Sequence, residues 1–91
     1  MEIKRLKEIP YGNAFVEIVS NDTMYLWSYR TLVAKVEKNW LSINGLYSQT
    51  TRRHIGAFVR EYCNLMYCDA KMLYEQNMRL DITTGEIEER G

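Results

Sequence analysis

"YSQTTRRHIGAFVREY", Tyr47–Tyr62, is where the chain changes its period. Ile55, Phe58, Val59, Tyr62 and, just beyond, Met66 stand at i, i+3, i+4, i+7 and i+11, the spacing of one apolar stripe on an α-helix. Arg53, Ala57, Arg60 and Asn64 fall on the opposite side, where Asn64 either breaks the helix or sits exposed within it. A helix with a single apolar stripe needs an apolar sheet to lie on, so this segment implies two layers.

The sheet is sought upstream. "AFVEIVS" (14–20) and "MYLWSY" (24–29) are rich in β-branched and aromatic residues and flank Asn21-Asp22, a hairpin turn because Asn and Asp tolerate positive φ. "TLVAKVE" (31–37) is the next strand, with Leu32, Ala34 and Val36 on one face and Val33 and Lys35 on the other. Lys38-Asn39 turns the chain into "WLSIN", which Asn44-Gly45 ends. Met24, Leu26, Leu32, Val36, Leu41 and Ile43 supply a face to be covered. Downstream, "DAKMLYEQNMR" (69–79) reads as a second helix with Asp69 as N-cap and Met72, Leu73 and Tyr74 to bury. The expected fold is α+β: a small antiparallel β-meander of about four strands, covered on one face by one or two C-terminal α-helices. Residues 1–91 make a single domain, mainly β over 1–45, mainly α over 48–79, with an extended acidic tail over 80–91.

Several classes are set aside. No apolar run approaches the ~20 residues of a membrane span, and "MEIKRLKEIP" lacks the apolar stretch of a secretory signal. A cytoplasmic protein is expected. Cys63 and Cys68 are five apart, about 140° around a helix, so they do not pair locally and are read as buried reduced thiols. One histidine and no C-x-x-C leave no zinc site, and Walker and Rossmann patterns are absent. Neither metal nor cofactor is expected.

The net charge is zero but unevenly spread. Met24–Arg60 holds six basic residues (Arg30, Lys35, Lys38, Arg52, Arg53, Arg60) against Glu37, whereas Glu61 onward holds seven acidic against three basic. That asymmetry points to an anionic partner for the basic part, unless the acidic tail folds back on it. Ser48, Thr50 and Thr51 are good N-cap types. Arg52 and Arg53 then stand near the positive end of the helix dipole, at ~0.3–1 kcal/mol each unless something compensates. Hydroxyls, free N–H groups and two guanidiniums resemble an anion-binding helix start. The bland alternative pairs the arginines with Glu17 or Glu37.

His54 flanks the apolar stripe, within reach of Ser28, Tyr29 or Thr31 on the sheet. A helix-to-sheet hydrogen bond is the simpler reading, since there is no glycine-flanked nucleophile elbow and no acid to orient the imidazole. Tyr25, Trp27 and Tyr29 alternate and share one strand face beside Arg30. That face is either core, a stacking platform for bases, or a protein-binding anchor.

"SYRTLVAKV" (28–36) and "INGLYSQTTRRHIGAFVREY" (43–62) resemble a family of small uncharacterised proteins from phages and other mobile elements of gut Firmicutes. In that family a Ser-Tyr-x-Thr strand is followed by Asn-Gly, then Tyr-Ser-x-Thr-Thr-x-x-His and a short amphipathic helix. The matching residues are Ser28, Tyr29, Thr31, Asn44, Gly45, Tyr47, Ser48, Thr50, Thr51, His54 and Phe58. The resemblance covers about residues 24–62 and implies a phage or plasmid origin; it carries no activity.

Three functional readings follow. The first is a non-enzymatic inhibitor or modulator that docks on a host protein or ribonucleoprotein, anti-CRISPR-like action being one form. It would bind through Tyr25, Trp27, Tyr29, Arg30, Ser48, Thr50, Thr51, Arg52, Arg53, His54 and Arg60. The second is nucleic-acid binding through Arg30, Lys35, Arg52, Arg53 and Arg60 on a basic and aromatic surface. The third is a small hydrolase or transferase using His54 and a hydroxyl.

Overall fold

Alternating apolar residues along 14–43 become a meander, and the flanking segments extend it. The computed structural model describes residues 1–90; Gly91, the last residue of the expected tail, lies outside them. An antiparallel sheet runs in chain order: β1 (Glu2–Lys4), β2 (Ala14–Ser20), β3 (Thr23–Ser28), β4 (Thr31–Glu37), β5 (Trp40–Ile43), β6 (Met78–Asp81) and β7 (Ile87–Glu89). Between β5 and β6 the chain leaves the sheet for α1 (Gln49–Phe58), a π-helical segment (Val59–Cys63) and α2 (Tyr67–Glu75). The α+β class and the antiparallel meander are as expected, but the described residues form seven strands rather than about four. The three extra strands carry no clean alternation. β1 and β7 are short exposed edges, and β6 is half-buried throughout. The segment read as a tail is instead a hairpin. β6 pairs with β5 through Trp40↔Asp81 and Leu41↔Leu80, and Gly85, at φ +82, turns the chain into β7.

Ala14, Val16, Leu26, Ala34, Val36, Leu41 and Ile43 are fully buried beneath the helices. The expected phase of β4 fails at one point. Leu26 pairs with Ala34 and Trp27 with Leu32, so Val33 is an extra residue, a β-bulge. Leu32 therefore lies across from Trp27 on the outer face, while Val33, expected outward, is buried. The turn at Asn21-Asp22 is present, yet neither residue has positive φ. Asp22 Oδ1 accepts from the hydroxyls of Ser20 and Thr23, both at 2.9 Å, and this tether shapes the turn. Positive φ falls instead on Tyr29-Arg30 (51°, 70°) and Lys38-Asn39 (51°, 71°), the two-residue loops on either side of β4.

α1 buries Ile55 and Phe58 against the sheet, and each fully buried side chain of that size contributes about 1.5–3 kcal/mol. Ala57, placed by spacing on the solvent side, is buried because α2 packs there. The stripe does not run to Met66. Asn64 ends the helix in the left-handed region (φ 56°, ψ 41°) and Met66 is exposed. Met66 is the N-cap of α2; Asp69, expected there, stands three residues later and accepts from the Met66 N–H at 2.8 Å. Leu73 is buried, but Tyr74 is exposed. Cys63 is buried, which pushes its thiol up to about 12; Cys68, expected to be buried, is exposed. No helix among the described residues is long and apolar enough to cross a membrane.

Candidate anion-binding surface

Ser48 caps α1: its Oγ accepts from the Thr51 N–H at 3.2 Å. The first intrahelical bond, Arg52 N–H to Ser48 C=O, follows at 3.0 Å. Tyr47, just before the cap, takes positive φ (48°) and lays its ring over Gly45. A Cβ at Gly45 would sit 2.7 Å from that exposed ring, which would have to swing aside. With Ser48 as the cap, Arg52 and Arg53 stand at the fourth and fifth helical positions rather than in the first turn, so the dipole cost expected for them largely falls away.

Both arginines line a groove of about 720 Å³ between α1, α2 and the β1–β2 connection, together with Arg60, Lys71, Tyr67 and Glu8. Glu8 is the one carboxylate in this lining, and it is engaged: Oε2 and Oε1 accept from Arg60 Nε and Nη2 at 2.9 and 2.8 Å. Arg60 holds the Glu8 carboxyl below the usual range. Lys71 has a loose partner, Glu75, at 3.9 Å. Arg52 and Arg53 have no carboxylate partner among the described residues. The carboxylates named as their alternatives are occupied on the other face of the sheet. Glu17 accepts from Trp27 Nε1 at 3.0 Å, and Glu37 pairs with Lys35 at 2.7 Å. The acidic C-terminal strand does not fold back on the arginines; Glu88 pairs with Arg79 of its own hairpin. Tyr67 lines the groove, and its hydroxyl is buried without a hydrogen-bond partner.

His54 is buried, not merely flanking the stripe. Its Nδ1 lies 2.8 Å from Ser28 Oγ, the expected helix-to-sheet bond. Ser28 Oγ is in turn 3.3 Å from Thr51 Oγ1, which accepts from Ser48 Oγ at 3.2 Å. Burial first, and the Arg53 charge second, push the His54 pKa down, so the ring is neutral at pH 7.

The aromatic residues part company. Tyr25 and Trp27 lie on the outer face, away from the helices, and are half-buried among their neighbours. Tyr29 is not in the strand: it is the first residue of the β3–β4 turn, so it leaves the stripe and brings its ring centroid to 6.0 Å from that of His54. Arg30 lines an outer cavity of about 340 Å³ with Ile3, Asn13, Phe15, Trp27 and Tyr29. The structure thus brings Arg52, Arg53 and Arg60 together and leaves Arg30 on a separate cavity. Sequence reading missed Glu8, Tyr67 and Lys71, which reach the groove only because α2 and the β1–β2 connection close against α1; nothing local marks them.

A family model described as "Family of unknown function (DUF8033)" matches residues 1–78, so the chain belongs to that family. No curated protein and no solved structure matches it.

Proposed function

We propose that this member of DUF8033 is a small non-enzymatic binding protein that docks an anionic face of a host protein or ribonucleoprotein against the α1–α2 groove. The observation that carries the reading is Arg52-Arg53: two guanidiniums near the positive end of α1, without carboxylate partners, opening on a groove that also holds Arg60 and Lys71. An anionic group docked there gains charge-assisted hydrogen bonds from the unpaired guanidiniums. The resemblance to mobile-element proteins supports a role in the host cytoplasm, blocking a host machine, anti-CRISPR action being one such role. The test is capture from host lysate by the chain and by Arg52→Glu/Arg53→Glu, both verified as folded by circular dichroism. A saturable partner retained by the first and lost by the second is expected; a partner set indifferent to the reversal overturns the reading.

One observation favours nucleic acid as a second reading: the outer cavity sets Phe15 and Trp27 beside Arg30. A gel shift at low salt that Arg30→Ala abolishes supports it, and no shift at low salt ends it. For the hydrolase reading, the hydroxyl on His54 belongs to Ser28, which is 1% exposed. Full biological activity in a folded His54→Gln chain removes that reading.

A further inference from the structure

A smaller cavity, about 150 Å³, opens beside α1 and is lined by Tyr11, Asn13, Tyr29, Thr50, Arg53 and His54. It has room for about five waters, hence for one phosphate- or carboxylate-sized group. Three observations converge on it.

The first is an unpartnered ring nitrogen. His54 is 3% exposed, its Nδ1 is taken by Ser28, and its Nε2 makes no hydrogen bond within the described residues. Unlike the Tyr67 hydroxyl, this nitrogen is not sealed from solvent, so it remains available to a group entering the cavity that His54 lines. The second is a hydroxyl relay. Ser48 Oγ accepts from the Thr51 N–H and donates to Thr51 Oγ1. Thr51 Oγ1 lies 3.3 Å from Ser28 Oγ and Ser28 Oγ 2.8 Å from His54 Nδ1, contacts in which either side can donate; that the protons run from the cap toward the ring is part of the inference. A neutral imidazole that accepts at Nδ1 carries its one proton at Nε2 and is a donor there. The third is the surroundings. Arg53 has no carboxylate partner, and none of the lining residues is acidic. Tyr29, at φ 51° in a region bulky residues avoid, holds its ring beside the imidazole.

We infer that this cavity is a subsite for a single oxyanion, held between the Nε2–H of a neutral His54 and the Arg53 guanidinium, with the Thr50 hydroxyl and the Asn13 amide in the same lining. The relay from the α1 cap orients the donor, which makes Ser28, Thr51 and Ser48 positioning residues. The subsite shares Arg53 with the α1–α2 groove, but it is argued from the His54 ring and does not rest on the groove's function.

The test is a long-range proton–nitrogen NMR spectrum of the His54 ring in the full chain, titrated with inorganic phosphate against chloride at matched ionic strength. The Nε2–H tautomer is expected in the free protein, with a saturable phosphate shift at Nε2. Arg53→Gln should weaken that response roughly tenfold or more, the loss of one charge-assisted contact. Arg52→Glu with Lys71→Glu, which strips charge from the groove and leaves the cavity intact, should change it by no more than about twofold at physiological salt. Ser28→Ala should erase the tautomer preference; if that variant fails to fold, the unmodified chain and Arg53→Gln decide. An Nδ1–H tautomer, a response that never saturates, or one that survives Arg53→Gln overturns the inference. Partner capture that persists alongside such a result would sink the subsite alone and spare the groove.

Discussion

Ser28 Oγ lies 2.8 Å from His54 Nδ1, joining the last residue of β3 to the middle of α1, with Thr51 Oγ1 of the same helix 3.3 Å from the same hydroxyl. Both residues are buried. Ser28→Ala should cost about 1–3 kcal/mol, because it leaves the imidazole nitrogen with no protein partner and removes one from Thr51. Urea unfolding with an unchanged m-value checks it.

The same burial sets a pH dependence. The His54 pKa is pushed below its ordinary value of 6.5 by burial and then by Arg53. In the window between the folded and unfolded values the unfolded chain binds a proton that the folded chain refuses. The contribution is therefore full above the unfolded value and is lost as pH falls from there toward the folded one. The urea midpoint should drop between pH 8 and pH 5.5, roughly the span that brackets an unperturbed histidine. The depressed carboxyls of Glu8, Asp22, Glu37 and Asp81 lose their contributions only at lower pH, starting from 4.5 for glutamate and 3.8 for aspartate. His54→Gln should flatten the profile across the upper range; a wild-type midpoint that is already flat there contradicts the assignment.

Tyr29 and Arg30 occupy a two-residue turn with φ values of 51° and 70°, conformations that an Asn-Gly pair adopts without strain. The double substitution Tyr29→Asn with Arg30→Gly should raise stability by about 1–2 kcal/mol. Thermal unfolding reads the gain. Lost phosphate response at His54 in the same variant would locate the use to which the strain is put.

Glu8 is the single carboxylate lining the groove. Glu8→Gln should free Arg60 and tighten binding of an anionic partner, with a steeper dependence on salt. Isothermal titration at two ionic strengths measures both effects.

The Tyr67 hydroxyl is buried without a partner in the free chain. Tyr67→Phe should stabilise the unbound protein by about 1 kcal/mol, the returned desolvation cost. If the groove's occupant satisfies that hydroxyl, the same change weakens binding. Equal shifts in the free and bound states would mean the occupant never reaches it.

How much of this was legible upstream can be traced residue by residue. The stripe Ile55–Phe58–Val59 and the alternation in β2 and β3 were plain, because helical and pleated periods depend on nearest neighbours along the chain. Ser48 as a cap and His54 as a bond to the sheet were legible for the same reason: caps and flanks are local. The bulge at Val33, the exposed Met66 and the outward Leu32 were not, since each depends on a partner strand or on a helix ending at Asn64.

Periodicity along the chain determined that α1 would lie on a meander, with a histidine turned toward the strands, although it set the guanidiniums in the first turn rather than just past it. Only the folded molecule decided that Arg52 and Arg53 meet no carboxylate among the described residues while Arg60 meets Glu8. Glu17 and Glu37 point to the far side of the sheet, while Glu8 and Lys71 arrive from segments distant in sequence. Charge pairing is a matter of distance in space, which composition and period do not encode; secondary structure is a matter of distance along the chain, which they do.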